Sequence, residues 1–207
     1  ESLKLAGYGI RRKLPVLGAA LAVPETGWTK ESSGTDVRTL YWNMEEVLKL
    51  FTEGTAHLER TYVHMLLHGL YLHRFRKHDC MERIWWLACD IMTEYRIDRM
   101  HVPGFEWPIP GNRSRWYRRM KDEKAVFQEN RLAEWTEKLR EEELRELEQI
   151  FRRDHHGWWR ELSDGNGVKC EDRRQQAEEA GRMSEAVHRW RTVFEQTELL
   201  NEEHKRQ

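Results

Sequence analysis

Apolar residues return every three to four positions over most of this chain and alternate in only one short stretch. That periodicity predicts helices almost throughout. Residues 2–22 read as a helix interrupted at Pro15, then a short apolar segment. Residues 26–35 are rich in turn formers and read as loop. The run Asp36-Val37-Arg38-Thr39-Leu40-Tyr41-Trp42 alternates and is β-prone, which predicts a strand. Asn43, with Glu46 three residues on, has the outline of a capping box and predicts a helix to about residue 52. Long helices follow over 55–73 and 80–100. Two or three charged helices fill 112–152 and 170–205, with Asp164-Gly165-Asn166-Gly167 as a loop. The expected class is mostly α with a small β-sheet, that is α+β.

The helices change character along the 207 residues. Residues 102–111 hold three prolines and two glycines, which no helix can continue through. Residues 1–111 carry 14 basic and 14 acidic side chains, and 112–207 carry 21 and 22. The chain therefore divides, on this reading, into a compact core at 1–111 and a charged helical region at 112–207 that packs on it or extends from it. The net charge of -1 lacks the basic excess of a general nucleic-acid binder. No apolar run approaches the ~20 residues that span a bilayer. The N-terminus lacks the layout of a signal peptide and an initiator Met, which suggests a piece of a longer chain. Cys80, Cys89 and Cys170 lie far apart and form no Cys-x-x-Cys pair, the pattern of a reducing, cytoplasmic setting.

The chemistry concentrates in the 55–73 helix. His64 and His68 are one turn apart, ~40° from each other on one face. Two imidazoles so placed can share a metal ion, as in His-Glu-x-x-His helices. Met65 stands where the Glu of such helices polarises the metal-bound water. His73 is ~180° round a straight helix from His64, so it joins only if the helix ends or bends near Gly69. Asp90 and Glu94 then sit one turn apart in an otherwise apolar helix, where an unpaired carboxylate is costly. A cation or an imidazole would compensate them. So would Arg60, Arg96 or Arg99.

Taken together, His64-Met65-Leu66-Leu67-His68 with its trailing His73, then Trp86-Leu87-Ala88-Cys89-Asp90-Ile91, Glu94, Ile97-Asp98, and later Asp154-His155-His156-Gly157-Trp158, resemble the bacterial metallopeptidase domain of von Willebrand factor A-like proteins. The resemblance spans roughly residues 10–160. It implies a zincin-like helical core with a bound divalent metal, zinc, and a genomic partnership with a MoxR-type AAA ATPase. It also singles out His155 over His156 as the residue of the later element. Met65 departs from the His-Glu-x-x-His of many members, and no Asp-x-Ser-x-Ser motif is present.

Three readings follow. In the first, the protein is a zinc-dependent metallopeptidase-like hydrolase of peptides or proteins. His64, His68 and Asp90 are the ligands, water is the fourth, and Glu94 is the substitute base. In the second, it is a non-catalytic, metal-stabilised interaction module for a client or an AAA ATPase, with His73 or His155 closing the metal shell. In the third, it is a metal-free helical scaffold. Elsewhere, Cys89 reads as a core residue, and Cys80 beside His78 as a position favouring a thiolate. Arg113, Arg115, Arg118 and Arg119 read as a solvated helix face. No Gly-rich phosphate loop occurs.

Overall fold

The computed structural model describes residues 1–76, 78–105, 111–159 and 173–206. They are mostly helical with one small mixed sheet, the expected class. The loop expected at 164–167, Cys170 and part of the Pro-Gly run lie outside the described residues. The chain divides into two units, one joining 1–75 with 154–207, the other holding 76–153. The boundary expected at 111/112 falls inside the second unit. Composition marks where a helix stops, whereas the units are set by which elements pack together.

The first unit begins with α1 (Ser2–Lys13), which stops before Pro15 as its missing N–H requires. Strands β1 (Glu25–Thr29), β2 (Gly34–Thr35) and β3 (Thr39–Asn43) form a sheet in the order β1-β3-β2. β1 runs parallel to β3 and β2 antiparallel to it. Two expectations change here. The 26–35 stretch holds two strands rather than loop, because β1 is ordered by pairing with β3. The expected strand at 36–42 loses its first three residues to a turn. Asp36 Oδ1 accepts the N–H of Arg38 at 3.0 Å and of Thr39 at 2.6 Å, and Thr35 Oγ1 accepts that of Val37 at 2.9 Å. These side-chain bonds hold Val37 at φ +79° and outweigh the alternation of its neighbours.

Helix α2 (Met44–Glu53) starts where expected, with Asn43 Oδ1 accepting from the N–H of Glu45 and Glu46. The box does not close. Glu46 accepts instead from the N–H of Ser33 at 2.9 Å, and the Asn43 N–H donates to Ser33 Oγ at 3.0 Å. Helix α3 (Thr55–Leu70) is buried at every position from 58 to 70 except Tyr62, which explains why its sequence is apolar nearly all round. Its Glu59 pairs with Lys13 of α1 at 2.5 Å. The long helix α8 (Arg173–Arg206) buries Ala186, Trp190 and Val193, an i, i+4, i+7 stripe on an otherwise charged helix. Trp190 donates to the Val37 carbonyl at 2.8 Å and lies against Gly69 of α3.

The second unit holds α4 (Glu82–Arg99), α5 (Gly111–Asp122), α6 (Glu129–Thr136) and α7 (Glu141–Phe151). Trp85, Trp116, Leu132, Leu147 and Phe151 are in its core. Two ionic knots tie the helices. Arg113 lies 3.0 Å from Glu94 and 3.2 Å from Asp98, donates to the Ile150 carbonyl, and sits over the Phe151 ring. Glu129 pairs with Arg76 at 3.0 Å and Arg96 at 2.8 Å. The expected solvated arginine face is corrected at its first member. Arg115 and Arg118 are exposed, but Arg113 is buried because two carboxylates face it. Among the described residues no helix is long and apolar enough to cross a membrane.

Candidate metal centre

Helix α3 presents His64 and His68 one turn apart, and both rings are wholly buried. Their Nε2 atoms are 2.9 Å apart. Helix α3 ends at Leu70, and Leu72 takes a left-handed φ of +51°. That bend is the condition under which His73 can return. Its Nδ1 lies 2.8 Å from Nδ1 of His68. The two ring nitrogens of an imidazole point in different directions. His73 therefore contacts the side of His68 away from Nε2, where it can orient the ring but not share its Nε2 ligand.

The other half of the centre comes from the segment after α7. Asp154 Oδ1 lies 3.6 Å from Nε2 of His64, 3.8 Å from Nε2 of His68 and 3.4 Å from Nε2 of His156. Three imidazole nitrogens thus surround one buried carboxylate oxygen. The His156 ring stands perpendicular to that of His68, with centroids 5.0 Å apart, and Trp159 packs edge-on against both. Burial alone would raise the Asp154 carboxyl. The imidazoles of His156, His68 and His64 facing it outweigh burial and draw the carboxyl below its usual range.

The sheet places this segment. The His155 N–H donates to the Ser33 carbonyl at 2.8 Å, and Trp159 Nε1 to the Thr35 carbonyl at 2.9 Å. Trp158 stacks on Tyr41 with centroids 4.2 Å apart. Gly34 is needed for this approach: a Cβ there would lie 2.3 Å from the His155 carbonyl oxygen and 2.8 Å from the Trp158 ring. The backbone bond of His155 orients the segment so that the next residue, His156, faces Asp154. The His155 ring, half-buried, accepts the Gly157 N–H at 3.1 Å.

The donor set can be tested against a metal. Zinc bonds of ~2.0–2.1 Å in a tetrahedron put neighbouring donors ~3.3 Å apart. The separations here, 2.9, 3.6, 3.8 and 3.4 Å, bracket that value. Imidazole and carboxylate donors suit zinc and other borderline divalent ions. His64, His68 and Asp154, whose ligand atoms lie within 4.8 Å of one another, could hold a metal ion.

The remaining expected site residues lie on α4, in the second unit. Asp90 is buried there. Glu94 is wholly buried and faces Arg113 at 3.0 Å and Arg153 at 3.6 Å, so ion pairing accounts for it. Met65, beside His64, is a core side chain. Cys89 is buried, as expected of a core thiol. Burial and the nearby Glu137 raise the Cys80 thiol, against the thiolate expected from its neighbours. Sequence reasoning did not single out Asp154 or His156 as ligands. The Asp-His-His-Gly-Trp-Trp run was the available signal, but choosing within it needed the sheet. Neither known family models, nor curated proteins, nor solved structures match this chain.

Proposed function

We propose that this protein binds one divalent metal ion, zinc by donor chemistry, through Nε2 of His64, His68 and His156 and the carboxylate of Asp154. The ion is structural: it supplies a cross-link between α3 and the 154–159 segment. The observation that carries this reading is the convergence of three Nε2 atoms on Asp154 Oδ1 within 3.8 Å. Four protein donors with side chains no more than 1 % exposed match a closed structural site rather than an open catalytic one. Met65 in place of a Glu, and Glu94 engaged with two arginines, support the same side. The charged helices of the second unit would then serve a protein partner, and the resemblance to the von Willebrand-associated domain nominates a MoxR-type AAA ATPase.

The spacing of His64 and His68 on one helix favours a second reading, a zinc-dependent metallopeptidase-like hydrolase. Both readings are tested together. Protein purified without chelators should carry about one zinc per chain by plasma mass spectrometry, lost in His64→Ala and Asp154→Ala. Absence of metal in the wild type overturns both readings. Asp90→Ala in the same series decides whether Asp90 is also a ligand, as the sequence suggested. Chelator-sensitive hydrolysis of casein by the loaded protein, abolished by Glu94→Gln, would replace the structural reading with the hydrolytic one.

A further inference from the structure

Strand β1 has a partner on one side only. In the order β1-β3-β2 its other edge is open among the described residues. The direction of its peptide groups follows from one bond. The Glu25 N–H donates to the Arg38 carbonyl at 2.8 Å, in the register Glu25↔Thr39. In a parallel ladder alternate residues serve one neighbour. Glu25, Gly27 and Thr29 therefore turn their backbone groups to β3, and Thr26 and Trp28 turn theirs to the open edge.

Those two residues also line a groove of about 820 Å³ in the first unit. Its walls include Tyr8 of α1 and Met44 and Leu48 of α2, with Lys4 and Arg11 along α1 and Glu1 at one end. Tyr8 is 71 % exposed, Trp28 56 %, and Met44 and Leu48 52 % each. Large apolar side chains gathered at this exposure mark an interaction surface rather than ordinary surface scatter. None of the metal-centre donors lines the groove, so this surface stands whether or not a metal binds.

We propose that the open edge of β1 and the groove beside it bind an extended peptide segment of another protein. The peptide would pair with the backbone of Thr26 and Trp28. These two positions are ~6.6 Å apart along the strand, the repeat at which a partner strand presents its own peptide groups. Alternate side chains of the peptide would be apolar and enter between Tyr8, Trp28, Met44 and Leu48. Lys4 and Arg11, two cations against the single carboxylate of Glu1, select acidic residues at the flank. This is strand addition, in which main-chain bonds give affinity and alternate pockets give specificity.

A library of random 12-residue peptides displayed on phage and panned on the whole chain tests this. Enriched peptides are then made with a fluorescein label for polarisation titration. The expected result is enrichment of alternating apolar sequences with acidic residues, binding one to one. Thr26→Pro should weaken the selected peptide at least tenfold. It removes an N–H that faces away from β3, the one place a strand tolerates proline. Leu48→Glu should weaken it similarly without touching the strand. Thermal melts of both variants check that the fold is kept, and Lys4→Glu with Arg11→Glu should lower affinity for acidic peptides only. No enrichment overturns the proposal. Binding that survives Thr26→Pro but not Leu48→Glu overturns strand pairing. A concentration-dependent dimer abolished by either variant shows that a second copy, not a foreign peptide, fills the groove.

Discussion

Replacing His73 by Leu separates a residue that orients a ligand from one that is a ligand. His73 Nδ1 lies 2.8 Å from His68 Nδ1. Without metal, neutral His68 has one proton, which either ring nitrogen can carry, with His73 on the Nδ1 side and His64 on the Nε2 side. A metal on Nε2 removes the choice. The proton must then sit on Nδ1 and be donated to His73. Leu at 73 takes the His73 acceptor away from that buried N–H in the metal-bound state, at a cost of about 1–3 kcal/mol. The metal-free state escapes most of the cost by shifting the proton to Nε2, where His64 accepts it at 2.9 Å. The penalty therefore appears as lost affinity, about 10–100-fold, the range of such outer contacts. His73→Asn should recover most of it, because an Asn side-chain oxygen can occupy the place of Nδ1. Competition titration with a chromophoric zinc chelator reads all three dissociation constants. Equal affinity in wild type and His73→Leu would mean that His73 does not orient His68 for the metal. A loss above a thousandfold that Asn does not repair would make His73 a direct ligand.

Three further outcomes follow from packing and charge. Gly69→Ala should lower stability by about 1 kcal/mol or more in denaturant titration. The new Cβ would lie 2.5 Å from the Trp190 ring, and overpacking of about 1–3 kcal/mol exceeds the helix-propensity gain of up to about 1 kcal/mol. An unchanged or raised midpoint would show that α8 yields easily. Arg113→Met should destabilise by about 3 kcal/mol or more, since Glu94 and Asp98 lose their shared cation. Glu94→Gln added to it should give back part of the loss, and strictly additive effects would argue against direct coupling. Glu143 is drawn from its ordinary 4.5 down to about 2 by the backbone N–H of Arg140 and the guanidinium of Arg119. Its stabilisation is therefore complete above about 4.5 and lost as pH falls towards 2. Glu143→Gln should flatten that acid limb of the stability profile, and superimposable profiles would count against it.

Local signals carried much of the architecture. The stop of α1 before Pro15, the Asn43 cap and the burial of α3 follow from interactions within a few residues, where spacing is informative. The same is true of His64 and His68: a helix must place them on one face. The return of His73 was legible as a condition on where the helix ends, and Leu72 meets that condition with its left-handed backbone. Other features depend on residues far apart in the chain. Strand β1 exists because β3 pairs with it, and no alternation within 26–35 announces that. Glu94 finds Arg113, which lies on another helix. His156 faces Asp154 because the segment is pinned to the sheet, with Trp159 bonded to Thr35, 124 positions away. Helical periodicity is a property of neighbours, so the helices and the face shared by His64 and His68 could be read from the chain alone. Bringing Asp154 and His156 to that face took the tertiary structure, because the segment that carries them is oriented by backbone bonds that only the folded sheet supplies.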